Sequence, residues 1–241
     1  MANKILIPLL ILFCASCTYR QELPTPDFSY PNSRVWAHST IDTNIAKQKE
    51  PLFDGLELDV NYSEYQDKIF MCHDLIDTLN CVTLDQWFAA LKDPKSKYFW
   101  VDMKNLDKHN AQRIADIILE QAEKYDIKDQ LMVEHTDHRA LKQLKDRGLH
   151  VILWVENSYW TGLRDRAWVR ITSRHIHYLH PDALSCEYVM FPLLNQSFPN
   201  QNIHYWDTPR EYNDTNVAHT RMLLQDPAVK VVLVDYPNPI E

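Results

Sequence analysis

Short apolar stretches alternate with longer amphipathic ones along most of this chain. Arg34–His38, Gly55–Val60, Tyr98–Lys104, Gln130–His135, His150–Val155, Leu184–Phe191, Asn202–Trp206 and Lys230–Tyr236 are rich in β-branched and aromatic residues and read as strands. Between them, helical periodicity is clearest over Thr83–Leu91, His109–Tyr125, Asp137–Arg147, Trp160–Leu179 and Thr215–Leu224, and Gly148 suits a helix C-terminal cap. Eight strands with intervening helices favour an α/β fold, a (β/α)₈ TIM barrel, with a doubly wound open sheet as the alternative.

The first residues follow another logic. Lys4 precedes the apolar run Ile5–Phe13, and Ala15, Ser16 and Cys17 follow. The run is too short to span a bilayer and predicts a secretory signal over 1–16, of lipoprotein type, with Cys17 as the acylated mature N-terminus. Cys14 and Pro8 depart from the usual pattern and leave plain signal cleavage as the alternative. The expected location is the bacterial cell envelope, outer membrane or periplasm-facing. A polar, proline-rich tether over 17–33 and a single domain over 34–241 follow.

The composition is that of an ordinary globular protein, 45% hydrophobic and 24% charged. A formal charge of −8 with no cluster of cations gives no footprint for a nucleic-acid backbone. With three glycines in all and no GxGxxG or GxxxxGK[ST], dinucleotide and P-loop sites lack their backbone machinery. Cys72, Cys81 and Cys186 are an odd set within the domain; buried thiols are the simpler reading, although Cys72 and Cys81 could close a loop. The basic-aromatic stretch from Trp160 to His180 reads as an outer barrel helix with a solvated basic face rather than a membrane-surface element.

The candidate chemistry lies in charges placed at the C-terminal ends of strands, the end that carries active sites in such barrels. Side chains alternate across a strand, so Leu56, Leu58 and Val60 face one way while Glu57 and Asp59 face the other, into the lumen. The same alternation turns Trp100, Asp102 and Lys104 inward. His38 ends the first strand, and His73 is followed by Asp74. Three carboxylates without sulfur ligands suit Mg²⁺, with Ca²⁺ as the alternative, and leave positions for phosphate oxygens. A buried salt-bridge network on Lys104 would also explain them, but two inward carboxylates on one strand repel unless a cation intervenes. Two imidazoles beside them suit general acid–base catalysis, and Lys104 would neutralise phosphate charge. Glu134, Glu156, Tyr188, Trp206 and Asp235 are further lumen candidates, with Trp206 or Tyr188 on the leaving-group side.

The order of these pieces resembles the glycerophosphodiester phosphodiesterase superfamily, the PLC-like phosphodiesterases: His38 after strand one, Glu57-Leu58-Asp59 on strand two, then His73-Asp74. VDMK is similar in place to the third metal ligand and the phosphate-contacting lysine, giving Asp102 and Lys104, and VLVDYPNP resembles the last strand with Asp235 and Pro237. The resemblance implies a metal-dependent phosphoric diester hydrolase. Its catalytic residues would be His38 and His73, its metal ligands Glu57, Asp59 and Asp102, and its phosphate contact Lys104; Glu134 and Trp206, from the later strands, are the further candidate substrate contacts. The implied substrate is a glycerophosphodiester or a phospholipid head group, cleaved in some members through a cyclic phosphate. Two departures matter. His38-Ser39-Thr40 stands where an HRG triplet supplies an arginine, and the interval to Glu57 is short, without an insertion domain. This compactness is closer to the sphingomyelinase D type and menorin-like branches. The other readings are a non-catalytic cell-surface barrel that binds phosphorylated ligands or a protein partner, and a metal-free phospholipase C reaction, which the three carboxylates disfavour.

Overall fold

A computed structural model describes residues 28–74, 80–157, 164–206 and 211–240. The expected signal and the start of the tether lie outside the described residues. Among the described residues nine strands are formed: β1 (Val35–Ala37), β2 (Gly55–Ser63), β3 (Lys68–Met71), β4 (Tyr98–Met103), β5 (Leu131–His135), β6 (His150–Trp154), β7 (Ala183–Glu187), β8 (Ile203–Trp206) and β9 (Val229–Val234). Parallel pairing runs β1-β2-β4-β5-β6-β7-β8-β9 and returns to β1, so eight strands close a barrel. β3 is the exception. It pairs antiparallel with β2 through a hairpin that turns at Asp67, whose φ is 52°.

Seven α-helices are described: α1 (Thr43–Lys49), α2 (Leu84–Ala90), α3 (Ala111–Tyr125), α4 (His138–Asp146), α5 (Asp165–Leu179), α6 (Phe191–Ser197) and α7 (Asp214–Leu223). Their ends follow local chemistry. Thr83 and Gln86 form a reciprocal capping box at α2, and the Asp137 carboxylate accepts from the Arg139 and Ala140 amides at α4. Gly148, at φ 86°, closes α4 as expected. Among the described residues no helix is long and apolar enough to cross a membrane.

Three boundaries differ from expectation. The stretch Leu184–Phe191 is strand only to Glu187; a 3₁₀ turn at Tyr188–Met190 leads into α6, where Pro192 in the first turn needs no amide partner. The helix expected from Trp160 begins at Asp165, with Arg164 as its extended N-cap residue; 160–163 lie outside the described residues. The tether region ends ahead of Arg34, because Phe28 and Tyr30 already pack into the barrel: Phe28 meets His150 edge-on at 5.0 Å, and the Tyr30 hydroxyl lies 2.9 Å from His204 Nε2.

Alternation sorts the two cores. Leu56, Leu58, Val60, Phe99, Val101 and Met103 face the helices in one continuous apolar layer. Trp36, Trp100, Met132, Ile152, Ala183 and Val231 fill the lower lumen with Phe28, so the barrel is plugged beneath its mouth. Gly55 makes room for that plug, since a Cβ there would lie 2.0 Å from Trp36 Cδ2. Both cores are built from residues between Phe28 and Ile240.

Candidate active site

Above the plug, the C-terminal ends of the strands surround a cavity of about 370 Å³, lined by His38, Glu57, Asp59, His73, Trp100, Asp102, Lys104, Glu134, Trp154 and Trp206 among others. Strand register explains the convergence. Asp59 pairs with Asp102, and Asp102 with Glu134, so three carboxylates lie side by side across β2, β4 and β5, with Glu57 beside Trp100 in the row below.

Glu57, Asp59 and Asp102 each bring one carboxylate oxygen into a group in which all lie within 4.8 Å of one another. Oxygens sharing one octahedral Mg²⁺ stand about 3 to 4 Å apart, so modest side-chain adjustment suffices. Lys104 Nζ lies 2.6 Å from Asp59 Oδ1 and 2.5 Å from Asp102 Oδ2. One ammonium against three carboxylates, two buried and Asp102 half-buried, leaves the site negative. Burial pushes the Glu57 carboxyl well up, and the charges of Asp59 and Asp102 push it further, against the Ser39 amide and Lys104. Burial also raises Asp102, with Lys104 drawing it back. Burial by itself would lower Lys104, and Asp102 and Asp59 more than reverse it. An all-oxygen donor set with excess negative charge fits a hard divalent cation.

His38 follows β1 and is fixed at both ends. Its Nδ1 lies 2.7 Å from Asp235 Oδ1 at the end of β9, and its Nε2 points into the cavity, 3.9 Å from Glu57 Oε2. The next residue, Ser39, takes a left-handed conformation at φ 52°, and its amide donates to Glu57 Oε2 at 2.6 Å. His73, which follows β3, also lines the cavity, its side chain 66% exposed and its Nδ1 3.2 Å from Asp74 Oδ1. Asn61 anchors this segment: its amide donates to the Cys72 and His73 carbonyls at 2.8 and 3.1 Å.

Glu134 lies deeper. Trp100 Nε1 donates to one of its oxygens at 2.9 Å and Ser185 Oγ to the other. Burial, then the charge of Asp102, pushes its carboxyl up to about 8. Trp206 walls the cavity opposite, packed edge-on against Trp154 at 5.8 Å. Two further candidates stay outside: Glu156 is exposed and its carbonyl serves Trp168 Nε1, while Tyr188 packs on His219. The structure adds Asn61 and Trp154. Both were within reach of the alternation rule, since Asn61 continues the face of Glu57 and Asp59, and Trp154 the face of Ile152.

The barrel superposes on solved phosphodiesterase structures. A glycerophosphodiester phosphodiesterase from Parabacteroides distasonis matches with a TM-score of 0.63 over 87% of this chain and 95% of its own, at 13% identity. A phosphodiesterase from Oleispira antarctica, solved with its product sn-glycerol-3-phosphate, matches at 0.61 over 85% and 93%, also at 13% identity. The fold is that of the glycerophosphodiester phosphodiesterases. An enzyme of this type from Agrobacterium tumefaciens gives 0.57 over 86% of this chain and 98% of its own, at 12% identity. No protein-family model matches the chain, and no curated protein matches it significantly.

Proposed function

We propose that this protein is a metal-dependent phosphodiesterase of the cell envelope that cleaves a glycerophosphodiester or a phospholipid head group. The observation that carries the proposal is the meeting of Glu57, Asp59 and Asp102 within 4.8 Å, beside His38 and Lys104, in one cavity at the mouth of a barrel of this type. Glu57, Asp59 and Asp102 would hold Mg²⁺ or Ca²⁺, and the bound ion would polarise the phosphoryl oxygens. Lys104, already between two of these carboxylates, is within reach of a phosphate oxygen and would offset its charge.

Asp235 holds the His38 ring so that Nε2 faces the cavity, and an Nδ1–H donated to Asp235 would leave Nε2 as the basic nitrogen that takes up a proton. His73 lines the same cavity. One imidazole takes the proton of the attacking hydroxyl, the substrate's own or that of water, as the O–P bond forms. The other gives a proton to the departing alkoxide. Attack by the substrate's own hydroxyl yields a cyclic phosphate. Trp154 and Trp206 provide an apolar wall for the alcohol portion. Export and an acylated Cys17 belong to the same reading and rest on the sequence of residues 1–17.

The test is turnover of bis(p-nitrophenyl) phosphate, glycerophosphodiesters and lysophospholipids by the chain from Gln21 onward, beside His38→Ala and His73→Ala. Turnover lowered by about 10² or more in each variant supports the assignment. Turnover that survives both substitutions removes the histidines from the chemistry.

A further inference from the structure

Helix α5 carries a feature that the barrel does not need. Its inward face is Trp168, Thr172, Ile176 and Leu179, all buried against the sheet and its neighbours. The opposite face presents Arg166, Arg170 and Arg174 at successive turns, about 6 Å apart along the axis, with Arg164 just before the helix; all four are exposed. Among the described residues none of these four forms an ion pair. Two arginines elsewhere in the helical layer are paired, Arg113 with Asp67 and Arg147 with Asp116. In a chain of formal charge −8, three arginines at successive turns of a helix whose one acid is Asp165 are a local reversal of sign.

The row is not purely cationic. Ala167 and Ile171 lie between the arginines in a shallow surface groove, and Ile171 and, beyond it, Tyr178 are 37% and 52% exposed. Guanidinium groups match phosphate oxygens as bidentate partners. Exposed apolar and aromatic side chains between them suit the boundary of head groups and acyl chains, where a polyanion in water would offer them nothing.

Against the sequence reading of this stretch as a merely solvated basic face, the exposed Ile171 and Tyr178 beside the arginines lead to another reading: we propose that the outer face of α5 is a docking surface for a bilayer containing anionic phospholipid, with Arg166, Arg170 and Arg174 contacting lipid phosphates. This contact is peripheral, electrostatic and independent of any acyl anchor. It lays the side of the barrel on the membrane. Because α5 follows β6, its first turn lies at the mouth end, and the row runs from the mouth towards the base.

The experiment is co-sedimentation of the chain from Gln21 onward with vesicles of phosphatidylcholine alone, or with about a third phosphatidylglycerol. Wild type is compared with a triple Arg166→Ser, Arg170→Ser, Arg174→Ser variant and with an Arg147→Ser control. Binding to the anionic vesicles only, lost at high salt, is expected. Each arginine removed should weaken it about fivefold, and the control should match wild type. Circular dichroism checks that the triple variant is folded; these side chains are exposed and unpaired, so it should be. Equal binding to both vesicle types, or undiminished binding by the folded triple variant, overturns the proposal. So does binding to a soluble polyanion such as heparin without binding to the vesicles.

Discussion

His38 Nδ1 lies 2.7 Å from Asp235 Oδ1, joining the first and last strands of the barrel across 197 positions of sequence. Closure of β9 onto β1 creates this contact, so the fold that seals the barrel also orients the imidazole. On the proposed mechanism Asp235 positions the His38 ring. In Asp235→Asn, kcat should fall by about 10²-fold with KM little changed, and Asp235→Glu should recover part of the loss. A purely structural role would lower stability without this split between kcat and KM.

Lys104 separates Asp59 from Asp102. Lys104→Met leaves those buried carboxylates facing each other without their cation, which costs about 3 kcal/mol in chelator. Added Mg²⁺ should recover more stability in the variant than in wild type. Melting curves with EDTA and with Mg²⁺ measure both effects.

Glu134 supplies a pH signature. Its ordinary pKa is 4.5, and in the folded protein burial and Asp102 push it up to about 8. A carboxyl with a raised pKa favours its protonated form in the native state. Ionisation of the unfolded chain therefore draws stability away as pH climbs from 4.5, until the folded group also ionises near 8. Glu134→Gln, which stays neutral, should gain stability over wild type through this window, reaching a plateau above it. Melting temperatures of both proteins from pH 4 to 9 test the sign.

Gly55 is required for a packing reason. Gly55→Ala places a Cβ inside the Trp36 ring position, 2.0 Å from Cδ2. Neither backbone nor a fully buried indole yields cheaply, and a loss of about 1 to 3 kcal/mol is expected in urea unfolding.

Much of this architecture is legible in the sequence because the two periodicities are clean. The eight parallel strands stand out as β-branched and aromatic runs, and alternation alone turns Glu57, Asp59 and Asp102 to one side. What alternation cannot supply is which strands are neighbours. The pairing of Asp59 with Asp102, and of Asp102 with Glu134, is a property of register. The β3 hairpin escaped notice because Lys68–Met71 is four residues long and antiparallel within a parallel pattern. α1 and α6, seven residues each like α2, escaped because α1 buries Ala46 and α6 Leu194, whereas α2 shows a stripe of Leu84, Trp87 and Phe88. The packing of Phe28 and Tyr30 into the barrel base is tertiary, and a proline-rich segment does not advertise it.

The most direct measurement is phosphodiester turnover by the protein stripped with EDTA and then supplied with Mg²⁺ or Ca²⁺, with metal binding followed by calorimetry on the same samples. The account predicts turnover lost on chelation and restored by one of these cations. It also predicts binding of that cation abolished in Glu57→Gln and Asp59→Asn. Turnover that persists in EDTA, or undiminished cation binding in both variants, would contradict it.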